Sequence, residues 1–120
     1  MARILIVDDD PLVAMSTADM LADLGHSVIE AYSGETALDI LRGSREIDML
    51  ITDYSMPRMT GAELAKAAQH MRPDLPILLA TGYAELPSGS DLNLPRINKP
   101  FRQHQIRAEI AKVLNSRQGR

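Results

Sequence analysis

Four stretches of the chain end in residues that could hold a metal or move a phosphoryl group. Ile4-Leu5-Ile6-Val7 runs into Asp8-Asp9-Asp10, Met49-Leu50-Ile51-Thr52 into Asp53, Ile77-Leu78-Leu79-Ala80 into Thr81, and Lys99 stands just before Pro100. Carboxylates gathered without compensation repel and raise one another's pKa, so a site built from Asp8, Asp9 and Asp53 calls for a hard cation. Mg²⁺ suits it, because it takes oxygen ligands, needs few carboxylates and keeps several waters. One such ion and the Lys99 ammonium would balance the three carboxylates. An arriving phosphoryl group brings oxygens for both, the way a metal and a lysine share the charge of a phosphoryl-transfer transition state. An aspartate can serve as nucleophile and form an acyl phosphate, and Thr81 offers a hydroxyl donor to a phosphoryl oxygen.

Those residues meet only if the runs are strands of one parallel sheet, where ligands bind beyond the carboxyl ends. The rest of the sequence supplies such a sheet. Asp10 suits a helix N-cap with Pro11 at the first helical position, and Val13, Thr17, Met20, Leu21 and Leu24 recur at helical spacing as far as Gly25. Residues 27–31 read as a second strand, followed by a helix capped by Ser33 with Ala37, Leu38 and Leu41 inward. Thr60 and Glu63 have capping-box spacing ahead of a stripe of Leu64, Ala67, Ala68 and Met71. A very short fifth strand precedes Lys99-Pro100, and the last helix runs over about residues 102–115, burying Ile106, Ile110, Val113 and Leu114. Alternating strands and helices imply a parallel sheet covered on both faces. Between Tyr83 and Pro95 the composition, with Pro87, Gly89 and serines, is poor for a helix, so a fourth helix there is expected to be short or missing.

Bulk properties narrow the function classes. The 120 residues fit one domain, 1–120, of ordinary globular composition, with no segment apolar enough to span a membrane. Met1-Ala2-Arg3 leads directly into the first strand, which reads as a domain start with no leader. The chain has no cysteine, which excludes disulfides and thiolate metal sites and makes a cytoplasmic location the default. A net charge of −3 argues against general nucleic-acid binding. The basic residues from Arg96 onward read as a solvated helix face, with a basic docking surface for an acidic partner as the alternative. His26, His70 and His104 share no metal-like spacing, and the methionines read as core filler.

Taken together, the aliphatic run into Asp8-Asp9, the segment Asp53-Tyr54-Ser55-Met56-Pro57-Arg58-Met59-Thr60-Gly61, the corner Ala80-Thr81-Gly82 and Lys99-Pro100-Phe101 resemble the receiver domain of two-component response regulators. The likeness covers nearly the whole chain. It implies an α/β, flavodoxin-like (CheY-like), doubly wound five-stranded parallel sheet of order 2-1-3-4-5. It implies Asp53 as phosphoacceptor, Mg²⁺ on Asp8, Asp9, Asp53 and the backbone carbonyl of Ser55, Thr81 as switch hydroxyl and Lys99 as phosphate counter-charge. It also implies a cis peptide bond at Lys99-Pro100 and a phosphohistidine donor on a histidine kinase or histidine phosphotransfer protein. The expected role is a phosphorylation-dependent signalling switch, self-catalysing its phosphorylation and dephosphorylation without turning over a separate substrate.

The pattern departs at Arg96, three positions before the lysine, where receivers commonly carry an aromatic residue that senses the threonine. An arginine does not fill a ring's buried pocket, so the usual threonine–aromatic coupling is not expected. Ser55 and Tyr83 occupy positions expected to tune phosphoryl lifetime. Arg96 and the weak 83–95 segment favour a phosphorelay or hybrid-kinase receiver, a monomer or weak dimer, over a dimerising transcription factor. A stand-alone shuttle and a piece of a longer regulator fit as well. Two other functions compete. One is a phosphorylation-independent pseudo-receiver that binds protein. The other is an aspartate-nucleophile phosphatase of the haloacid dehalogenase type, disfavoured because only a helix follows Lys99 where a strand with an acidic pair is required.

Overall fold

Side chains along a β-strand alternate faces, so a strand covered on both sides must be apolar throughout. The first and third runs are such strands. In the computed structural model, which describes residues 2–43, 46–82 and 94–118, the chain forms β1 (Arg3–Val7), α1 (Pro11–Asp23), β2 (Ser27–Ala31), α2 (Gly34–Arg42), β3 (Met49–Asp53), α3 (Gly61–Met71), β4 (Ile77–Thr81), β5 (Arg96–Asn98) and α4 (Gln103–Gln118). All five strands pair in parallel, in the order β2-β1-β3-β4-β5. The expected sheet is therefore present. The expectation of a short or missing fourth helix rests mainly on residues 83–93, which lie outside the described residues.

The alternation builds two cores. Leu5, Val7, Leu50 and Ile77 face α2 and α3, meeting Ala37, Leu38, Leu41, Leu64, Ala65 and Ala68. Ile4, Ile6, Met49, Ile51, Leu78, Ala80 and Ile97 face α1 and α4, meeting Ala14, Leu21, Ile106, Ile110 and Val113. The helix starts follow local chemistry. Asp10 accepts hydrogen bonds from the N–H groups of Leu12 and Val13 with Pro11 opening α1, Ser33 accepts from the Thr36 N–H, and Thr60 and Glu63 form the reciprocal capping box of α3. At the other end of α2, Arg72 Nη2 donates to the Leu41 carbonyl at 2.6 Å, satisfying an oxygen the helix cannot.

One face differs from the sequence reading. On α1 the buried residues are Ala14, Thr17, Ala18 and Leu21, while Val13, Met20 and Leu24 are half-buried at the flank. Small alanines let the helix axis approach the sheet, which displaces the larger side chains to the sides of the contact.

Candidate functional site

The sheet order makes β1 and β3 the pair at which successive connections turn in opposite directions, and a crevice opens beyond their carboxyl ends. Asp8 immediately follows β1, Asp53 is the last residue of β3, Thr81 the last of β4, and Lys99 directly follows β5. Four short strands thus deliver the chemistry to one edge.

Asp8 and Asp53 are each only 6% exposed, so both carboxylates are largely stripped of water. Asp9 beside them is exposed. Carboxylate oxygens of Asp8, Asp9 and Asp53 all lie within 4.8 Å of one another. Asp8 is oriented by its own turn: Oδ1 accepts the Asp10 N–H at 2.9 Å, leaving Oδ2 toward Lys99. The lysine Nζ donates to Asp53 Oδ1 at 2.7 Å and lies 3.5 Å from Asp8 Oδ2. Burial works against the charged ammonium, but the hydrogen bond and field of Asp53, helped by Asp8, outweigh it and raise the Lys99 pKa above the ordinary lysine value.

The cluster fits a hard divalent cation. Its donors are all oxygen, two of three carboxylates are desolvated, and the Lys99 ammonium, the cation beside them among the described residues, offsets one of three negative charges. Ser55, two residues past Asp53, is exposed at the same edge. Thr81 is buried, on the rung beyond the Asp53–Ala80 pair. Asp10, the third acidic residue of the first turn, serves the helix as its cap. The Lys99–Pro100 peptide bond is cis, in accord with the resemblance. Arg96 is exposed on β5.

A residue not singled out from the sequence also belongs to this edge. Thr81 Oγ1 donates to Asn98 Oδ1 at 3.3 Å, across the rung that pairs the two residues. The available signal was a polar side chain at the end of a strand one position before Lys99; its partner depended on a register the sequence does not display.

The chain is similar to known proteins in sequence and fold. The chain is 34% identical over 118 residues to the response regulator receiver protein CpdR of Brucella abortus, covering 95% of this chain and 98% of that one. It is 37% identical to the response regulator MprA of Mycobacterium avium, covering 93% of this chain but only half of that protein's length. The structure superposes on the chemotaxis protein CheY4 of Vibrio cholerae with a TM-score of 0.82 at 30% identity, over 95% of this chain and 99% of the other. The family profile of the response regulator receiver domain matches residues 4–111, and on that match the chain belongs to the response regulator receiver domain family.

Proposed function

We propose that the chain is a phosphorylation-dependent switch of two-component signalling whose phosphoacceptor is Asp53. The observation that carries this reading is the junction of Asp53 with Lys99 inside a three-carboxylate cluster at the carboxyl edge of the sheet. A carboxylate oxygen of Asp53 attacks phosphorus, the N–P bond of a phosphohistidine breaks, and the imidazole leaves with the bonding pair. Lys99, already within hydrogen-bond reach of Asp53, exchanges part of that contact for a phosphoryl oxygen and balances the charge the group brings. Thr81 donates its hydroxyl to another. Mg²⁺ bound by Asp8, Asp9, Asp53 and the Ser55 carbonyl would supply further neutralisation of the phosphoryl oxygens.

The donor is a histidine kinase or histidine phosphotransfer protein. Leu12 is 73% exposed and Met15 47% exposed on α1; with Val13, Met20, Pro100 and Phe101, Leu12 lines an apolar groove that reaches Lys99. A donor helix laid there would bring its histidine to Asp53. The protein acts where such donors are found, in the cytoplasm, and none of its described helices is long and apolar enough to cross a membrane.

The test is intact mass after incubation with acetyl phosphate, with and without Mg²⁺, beside an Asp53→Asn variant. A Mg²⁺-dependent gain of one phosphoryl group that the variant lacks is expected. An adduct that survives in Asp53→Asn would place the acceptor elsewhere.

A further inference from the structure

The hydroxyl that would greet a phosphoryl group is already engaged. Thr81 Oγ1 donates to Asn98 Oδ1, and a hydroxyl has one proton to give. To reach an oxygen on Asp53 it must first leave Asn98. The backbones on either side are held in place, since Thr81 pairs with Asn98 in the ladder and the Lys99 N–H donates to the Thr81 carbonyl at 2.8 Å. The exchange is therefore confined to side-chain rotation.

The two ends of this hydrogen bond differ in their surroundings. Thr81 is 4% exposed, whereas Asn98 is exposed. Once released, the amide oxygen of Asn98 can accept a hydrogen bond from water, whereas the buried threonine hydroxyl is shut away from solvent. Arg96 lies on the Leu79 rung, two residues earlier on the same strand, and is exposed.

We propose that Asn98 is a positioning residue for Thr81, holding its hydroxyl while Asp53 is unmodified and releasing it when a phosphoryl group arrives. The state of a buried site is thereby carried to the exposed end of β5. This rests on Asp53 being the phosphoacceptor. A ligand shifts such a two-position equilibrium only by the difference in its affinity for the two positions, so the Thr81–Asn98 bond opposes occupation of the site.

The test is the Kd for beryllium trifluoride at saturating Mg²⁺. Replacing Asn98 by Leu keeps the volume and deletes the acceptor, so binding should tighten roughly 2- to 10-fold, the worth of one neutral hydrogen bond. Asn98→Asp keeps an acceptor and should bind no tighter than the parent. In a Thr81→Val background, Asn98→Leu should change nothing, an outcome that a general loosening of β5 would not produce. In the unsubstituted protein, the side-chain amide NMR signals of Asn98 should shift on saturation with beryllium trifluoride, a readout that needs no variant to fold. Unchanged affinity in Asn98→Leu, equal tightening with and without Thr81, or unmoved amide signals would each overturn the proposal while leaving the phosphoacceptor reading intact. Failure of the unsubstituted protein to bind beryllium trifluoride would instead remove both.

Discussion

Lys99 Nζ and Asp53 Oδ1 stand 2.7 Å apart although 46 residues separate them in the chain. The contact is made by β5 and β3, which are not neighbours; β4 lies between them, so the lysine reaches across a strand to find its partner. One ammonium is shared between two desolvated carboxylates, since Asp8 Oδ2 is 3.5 Å from the same nitrogen.

Lys99→Met should therefore destabilise the metal-free protein by about 1–3 kcal/mol, the cost of removing a charged donor from two buried carboxylates. The pH dependence has a definite sign. Because the folded-state pKa of Lys99 is raised, its contribution is fully present below the unfolded value of about 10.5 and is lost as pH rises through the folded value. Urea titrations of parent and variant should differ by a constant amount at neutral pH and converge above 10.5. A difference that grew with alkalinity would contradict the ion pair.

Magnesium should stabilise the protein through the same carboxylates. At a hundredfold excess over Kd the gain is about 2.7 kcal/mol. Asp9→Asn removes one charge from a cluster whose oxygens lie within 4.8 Å of one another. In chelator the variant should melt no lower than the parent, since repulsion is relieved. In Mg²⁺ it should gain less, about 1.4 kcal/mol less for each tenfold loss of affinity. Equal Mg²⁺-induced shifts in both proteins would exclude Asp9 as a ligand.

Asp10 separates helix capping from metal binding within one turn. Its side chain receives the Leu12 N–H at 3.0 Å, while its own N–H orients Asp8. Asp10→Ala deletes the first bond and keeps the second, so it should cost about 0.5–2 kcal/mol of stability and leave the Mg²⁺-induced shift unchanged. Loss of that shift would show that Asp10 is itself a ligand.

The sequence disclosed most of this site because of where the strands end. β1, β3 and β4 are apolar nearly throughout, and Asp8, Asp53 and Thr81 stand where the apolar character stops. Strand ends and chemistry are therefore read from the same residues. The Thr81–Asn98 bond was not legible, because it depends on which residues of β4 and β5 share a rung. The buried face of α1 was only partly legible, because periodicity marks the largest apolar residues, whereas close approach to the sheet selects Ala14 and Ala18. Strand pairing and the distance of a helix from the sheet are tertiary quantities that no single segment encodes.

Arg58 tests a turn that propensity alone does not reveal. It has φ of 68° between Pro57 and α3, a left-handed conformation in a non-glycine residue. Such a residue carries about 1–2 kcal/mol of steric cost, of which glycine would recover part, offset by its greater freedom in the unfolded chain. Arg58→Gly should raise stability by up to about 1 kcal/mol in urea, and Arg58→Val, whose branch crowds this region further, should lower it. The reverse order would mean that the Arg58 side chain contributes more than its backbone conformation costs.

Gly61 and Gly34 show how the same substitution should have different consequences near and away from the site. A Cβ on Gly61 would collide with the Asp53 carbonyl oxygen and come within 2.8 Å of the Tyr54 Cα, and the Gly61 N–H already donates to the Tyr54 carbonyl at 2.8 Å. Backbone cannot rotate out of the way as a side chain can. A Cβ on Gly34 would meet the Met59 side chain, whose flexible thioether can shift to other rotamers. Gly61→Ala should therefore cost at least the 1–3 kcal/mol typical of overpacking, and Gly34→Ala less. The displaced segment in Gly61→Ala carries Asp53 itself, so beryllium trifluoride affinity should fall in that variant and hold in Gly34→Ala. Equal losses of stability, or an unaltered affinity in Gly61→Ala, would mean that the start of α3 yields to the new methyl group without moving the end of β3.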